Sequence, residues 1–163
     1  MKKIAMIAGC IYSTVLLTAG GDFASSLPKV ATVEEIKSCK VNTVYIEKDA
    51  GLMWQDAKYT YREDGAYKRN HSVGKAGTWG HAMRYCRNLN YGGYTDWRLP
   101  TADELMHLHS KQAEVFNNYR DGDFWSSTPA TDVRYYVVFP ADAYRYKRYK
   151  KESNYIRCVR CLQ

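Results

Sequence analysis

The stretch "TWGHAMRYCRNLNYGGYTDWRLPTADEL" (Thr78–Leu105) sets the reading of the whole chain. Trp79, Ala82, Met83, Cys86 and Leu89 recur at helical spacing and share one face, while His81, Arg84, Arg87 and Asn88 share the other. Thr78 suits an N-cap, and Tyr91-Gly92-Gly93 stops the helix. Thr101 and Glu104 form a capping box that starts a second helix, with Leu105 and Leu108 as its apolar stripe. Between the helices, Trp97, Arg98 and Pro100 crowd one turn of chain. Asp96 beside Arg98, with Glu104 close by, predicts a partly buried, paired arginine fixing the connection to the helix. All four tryptophans (Trp54, Trp79, Trp97 and Trp125) lie in or beside such motifs, and large aromatics spaced this way are expected to meet in a core. The segment reads as architecture, not as a ligand clamp.

Working outward, "TVYIEKDAGLMWQD" (Thr43–Asp56) reads as a hairpin turning at Lys48–Gly51, where Gly51 supplies a positive φ. Asp56 to Gly77 is polar and glycine-bearing, and predicts a long surface loop. Beyond the second helix, "FWSST" (Phe124–Thr128), "RYYVVF" (Arg134–Phe139), "YRYKRYKK" (Tyr144–Lys151) and "NYIRCVR" (Asn154–Arg160) read as strands, with "PADA" as a turn before the third. Tyr144 and Tyr146 fall on one strand face. A hairpin, two helices and a run of antiparallel strands make an α+β domain over residues 42–163, preceded by a lead-in over 22–41.

The chain has 163 residues, enough for one domain with one core, and 45% hydrophobic content, which is globular and not disordered. Residues 1–21 have the form of a secretory signal peptide. "MKK" is a basic start, Ile4–Gly20 is apolar, and Ala19 and Gly21 are small residues placed for cleavage before Asp22. An uncleaved anchor is the alternative, as is lipid attachment at Cys10 within "IAGC", although apolar chain continues past that cysteine. Cleavage would remove Lys2 and Lys3 and lower the formal charge from +7 to a modest +5. Export makes disulfides the expected state of Cys39, Cys86, Cys158 and Cys161, for which three pairings exist.

"GLMWQ" (Gly51–Gln55), Thr78–Leu105, "FWSST" and "YIRCVR" (Tyr155–Arg160), in this order, resemble the Lcl C-terminal domain family, a domain of largely unknown function in exported bacterial proteins. The resemblance implies a C-type-lectin-like fold of the formylglycine-generating-enzyme branch, with two helices flanking a twisted antiparallel sheet. Two features depart from the family pattern: "FPADAYRY" stands where a glycine-rich turn is usual, and the 56–77 stretch is individual. Cys158-Val-Arg-Cys161 has the spacing of a thiol-exchange site, but no helix follows to lower a thiol pKa. In an extended strand, residues three apart are roughly 10 Å distant and face opposite ways, so each cysteine needs its own partner. The fold resembled brings the first helix against the last strand, which pairs Cys86 with Cys158 and leaves Cys39 for Cys161.

Other chemistry finds little support. His107 and His109 are two apart on a helix and face different ways, and His71 and His81 have no partner at ligand spacing. "RDGDFW" (Arg120–Trp125) reads as a turn more readily than as a calcium loop, and the lectin calcium triplets are missing. Ser126 and Ser127 have no nucleophile elbow around them. The expectation is therefore a protein without catalytic residues, cofactor or metal. Its most suggestive surface is the strip formed by Tyr135, Tyr144, Arg145, Tyr146, Lys147 and Arg148, with Tyr136 beside it, where aromatics alternate with cations. Such a strip suits an acidic polysaccharide or an envelope protein; the plain alternative is a solvated strand whose lysines guard an edge. The expected role is an exported binding module at the periplasm or cell surface, or else a structural subunit of a larger envelope assembly. Export argues against nucleic acid, and membrane contact is expected only through an uncleaved or lipidated N-terminal segment.

Overall fold

The computed structural model describes residues 43–110, 115–139, 141–142 and 144–163, without the side chains of His109 and Ser110. The signal segment, the lead-in, Cys10 and Cys39 lie outside the described residues. Strands β1 (Val44–Glu47) and β2 (Leu52–Gln55) form an antiparallel hairpin, with Gly51 at φ 64° in its turn. Strand β8 (Val159–Cys161) completes a three-stranded sheet in the order β1-β2-β8. A five-stranded sheet has the order β3-β7-β4-β5-β6, from β3 (Ala76–Gly77), β4 (Phe124–Thr131), β5 (Arg134–Phe139), β6 (Tyr144–Tyr149) and β7 (Asn154–Tyr155). All pairings are antiparallel except β4 with β7. Helices α1 (Tyr61–Lys68), α2 (Trp79–Arg87) and α3 (Ala102–Ser110) complete the described α+β domain.

Side-chain alternation along the larger sheet separates two apolar clusters. Phe124, Tyr136 and Val138 face one cluster with Leu105 and Leu108 of α3, Ala66 of α1 and Trp54 of β2. Trp125, Tyr135 and Val137 face the other, with Ala82 and Cys86 of α2, Trp97 and Ile156. The tryptophans thus do not meet in a single core. Trp54 lies in one cluster, Trp97 and Trp125 in the other with Trp79 packed against it, because a sheet presents two faces and each needs cover. The Cys86–Cys158 disulfide, with its Cα atoms 5.5 Å apart, ties α2 to the segment between β7 and β8.

The connection before α3 joins both sheets. Arg98 exchanges backbone hydrogen bonds with Val159 at 2.8 and 2.9 Å, extending the smaller sheet. Two residues on, the Pro100 carbonyl accepts from the Ser127 backbone at 2.7 Å and its hydroxyl at 3.1 Å, while the Ala102 N–H donates to the Thr128 hydroxyl at 2.9 Å. The serines of "WSST" are therefore fastening groups on β4; Ser126 is buried and donates to the Tyr136 carbonyl. Arg98 holds Glu104 with two hydrogen bonds, at 2.8 and 2.5 Å, and Glu104 also accepts from the Thr101 N–H. Asp96 turns instead to Arg160, whose guanidinium lies 3.9 Å from the Tyr94 ring.

Two elements differ from the sequence reading. The 56–77 stretch is no plain surface loop: it contains α1 and β3, and buries Asp56, Glu63, Ala66 and Lys75. Thr60 and Glu63 close a capping box at the start of α1, and the other Glu63 oxygen accepts from the Lys75 backbone and ammonium at 2.8 and 2.9 Å. Gly74, at φ 53°, passes so close to that carboxylate that a side chain would collide with it. Similarly, "NYIRCVR" is two strands in two sheets, because Arg157 is drawn inward between them. Its guanidinium packs 3.7 Å from the Phe116 ring and donates to the Gln55 and Asn118 carbonyls at 3.1 and 2.8 Å. It faces Asp56 at 3.5 Å, both residues being buried. Asp56 in turn accepts from the backbone N–H groups of Asn117 and Asn118 at 2.9 Å each.

Replacing Arg157 with Leu strands the Asp56 carboxylate and should cost about 3–5 kcal/mol in urea unfolding. A loss below about 1 kcal/mol, the scale of an exposed pair, would remove Arg157 from this central role. Glu63 gives a second expectation. Burial pushes its carboxyl up, but hydrogen bonds from Lys75 and Thr60 outweigh that and hold it below the usual range. A lowered folded-state pKa means its stabilisation is present above the unfolded value, about 4.3, and is lost as pH falls through the folded one. Glu63→Gln should therefore lower the melting temperature at neutral pH, with the gap to wild type closing in acid. A gap that is constant across pH would point to packing instead of charge.

Candidate functional site

β6 is the outermost strand of the larger sheet, and all six of its residues are exposed. Alternation sends Tyr144, Tyr146 and Arg148 to one face and Arg145, Lys147 and Tyr149 to the other. The expected strip is therefore an edge seen from two sides and not one continuous face. On the first side the Tyr144 and Tyr146 rings lie 4.9 Å apart; Tyr135, level with Arg148 on β5, is half-buried and stacks on Trp79 at 3.8 Å. On the second side, Tyr136 is half-buried and the Arg145 guanidinium lies 5.4 Å from its ring.

The two arginines are already engaged. Arg145 meets Asp103 of α3 at 3.3 Å. Arg148 donates to one oxygen of the mostly buried Asp123 at 3.0 and 2.7 Å, a bond that raises the Arg148 pKa further. The Tyr146 hydroxyl donates to Asp142 at 3.0 Å, and this bond pushes its phenol pKa up. Lys147 has no ion-pair partner among the described residues. At the far end of the strand, Glu152 occupies both backbone groups of Tyr149: its carboxylate accepts from the Tyr149 N–H and its own N–H donates to the Tyr149 carbonyl, each at 2.9 Å.

Beside Arg148 lies an open groove of about 300 Å³. Tyr67 and Lys68, from the last turn of α1, line it together with Asp123, Arg148, Glu152, Ser153 and Asn154. Tyr67 is held by stacking on Tyr155, with ring centroids 4.3 Å apart, and Ser153 by hydrogen bonds to Asn70 and His71. Asn154 is only 3% exposed, and its amide nitrogen has no hydrogen-bond partner. Of these residues, the sequence reading places only Arg148 on a candidate binding surface; Asp123 falls in the Arg120–Trp125 stretch that it reads as a turn. Asn154 gives no local signal, since the stretch Asn154–Arg160 also holds Arg157 and Arg160 and its burial is set by the fold. A second hollow, about 430 Å³, lies over Lys58, Tyr59 and the start of α1. It is flanked by the 95% exposed Tyr61 and by an Arg120–Asp64 ion pair.

Cys158 is bonded to Cys86 and not to Cys161; Cys161 is exposed and has no disulfide partner among the described residues. Among those residues no three His, Cys, Asp or Glu side chains converge as a metal site, and no helix is long and apolar enough to cross a membrane. The model of the Lcl C-terminal domain family matches residues 43–160, most of the chain. No curated protein matches the chain.

The pairing of the two arginines separates their roles. Arg145→Ser with Lys147→Ser should leave the melting temperature nearly unchanged, within the ±0.5 kcal/mol or so of ordinary surface changes. Arg148→Ser leaves Asp123 mostly buried without its partner and should lower it measurably. Equal effects from the two variants would mean that the Asp123 bond has no structural role.

Proposed function

We propose that this chain, which belongs to the Lcl C-terminal domain family, is an exported, non-catalytic binding module of the bacterial envelope that engages acidic glycan along β6. The observation carrying this reading is the exposure of all six β6 residues, where three tyrosines stand among Lys147, without an ion-pair partner among the described residues, and two arginines that stay about half-exposed beside their carboxylates. Cations at such an edge attract a polyanion, and tyrosine rings offer faces on which sugar rings stack at little entropic cost. Export is supported by the N-terminal sequence and by the Cys86–Cys158 bond, since structural disulfides belong to oxidising compartments. A C-type-lectin-like fold accommodates the arrangement, with α2 on one face of the larger sheet and α1 and α3 on the other.

A second reading, a structural subunit of an envelope assembly, draws on the same edge. β6 ends the sheet, and its exposed tyrosines, with the strand edge ahead of the Tyr149 backbone that Glu152 caps, suit a docking strand. Crosslinking the full-length protein in its native envelope separates the two: a stoichiometric protein partner favours the subunit.

The direct test is titration of the protein with alginate and dextran sulfate, beside neutral dextran, over a salt series. Binding of the acidic polymers should weaken steadily with salt and fall about tenfold in Arg145→Ser/Lys147→Ser. Equal binding of neutral dextran, or indifference to salt, would overturn the acidic-glycan reading.

A further inference from the structure

We propose that the groove beside Arg148 is a separate subsite for a neutral, hydroxyl-rich saccharide unit, with Asn154 as its central hydrogen-bond donor. The charge of its lining balances: Lys68 and Arg148 stand against Asp123 and Glu152. A polyanion gains nothing there, because Arg148 is committed to Asp123 at 2.7 Å. What the lining offers is a mixture of the Lys68 ammonium as donor and, as acceptors, the second oxygens of Asp123 and Glu152 beside those bonded to Arg148 and Tyr149. Neighbouring hydroxyls of a pyranose, each both donor and acceptor, match that mixture. The groove's volume of about 300 Å³ is enough for one sugar ring. Tyr67, fixed by its stack on Tyr155, adds an aromatic wall.

Asn154 distinguishes this groove from an ordinary surface hollow. Its amide nitrogen is buried and unpartnered, which is costly to stability, and an apolar residue of similar size would remove that cost. A site that keeps such a group gains from it when a ligand oxygen arrives. The nitrogen is covered in the free protein, so a ligand oxygen reaches it only after a local shift of the groove lining. The subsite goes beyond the β6 reading: it takes a neutral unit, and it stands whether or not the edge binds acidic polymer.

The test is saturation-transfer NMR of the full-length protein with four probes: methyl glucoside, methyl galactoside, methyl mannoside and N-acetylglucosamine. At least one should receive saturation, and its affinity by titration should be unaffected by salt and by Arg145→Ser/Lys147→Ser. Asn154→Leu should weaken it about tenfold or more, without lowering the melting temperature. Glu152→Gln, which keeps the shape and removes an acceptor charge, should weaken it as well. Absence of saturation with all four probes would overturn the proposal, as would full binding by a folded Asn154→Leu variant. Loss of binding in the Arg145/Lys147 variant alone would assign the sugar to the β6 edge.

Discussion

The buried contact between Arg157 and Asp56 organises the domain. Arg157 stands where the chain leaves the larger sheet and before it enters the smaller one, so whatever holds its guanidinium sets the geometry of both. Asp56 provides the counter-charge from the end of the first hairpin, and its two oxygens also collect the N–H groups of Asn117 and Asn118. Three segments distant in sequence thus meet at one charge pair. Two charges are costly to desolvate, and this pair is tolerable because hydrogen bonds and the Phe116 ring surround the guanidinium. Such a pair is better understood as a device for register than for raw stability: an apolar pair would pack, but would not dictate where the strand breaks.

The split strand also explains why part of the fold was legible and part was not. The α2 and α3 helices, the hairpin and the strands at Phe124 and Arg134 follow from periodicity and caps, which are local properties. "NYIRCVR" reads locally as one strand because each residue suits one; nothing within it announces a buried arginine whose partner lies a hundred residues earlier. The 56–77 stretch was misread for a different reason. Thr60 and Glu63 are the same capping grammar as Thr101 and Glu104, yet α1 buries only Glu63 and Ala66, so it lacks the apolar stripe by which a helix is usually recognised. Lys75 and Glu63 then look like solvated charges in sequence and are buried partners in space.

The candidate surfaces divide along the same line. The β6 strip is contiguous in sequence, so its composition was visible, but the commitment of Arg145 to α3 and of Arg148 to Asp123 was not. The groove draws on the end of α1, the start of β4, the end of β6 and the turn before β7. Only the assembled sheet brings these together, and no local stretch of sequence marks it. A scaffold locked by pairs, caps and a disulfide is suited to presenting surfaces and not to moving parts.

The two short strands at residues 154–161 bear on how the domain comes into being. β7 is the link between β3 and β4, and β8 is one flank of the hairpin, so neither sheet is complete without this segment. The Cys86–Cys158 bond, joining residues 72 apart, waits on it too. A chain emerging from its N-terminus therefore carries unfinished sheets until nearly all of the domain has appeared. The hairpins β1–β2 and β4–β5–β6 pair neighbours in sequence, but completion of both sheets waits on strands that close on distant partners, contacts of the slow, non-local kind. Under the export proposed above, in which the chain would cross a membrane in open form, that lateness is an advantage: the segment that would lock the fold prematurely is the last of the domain to be made.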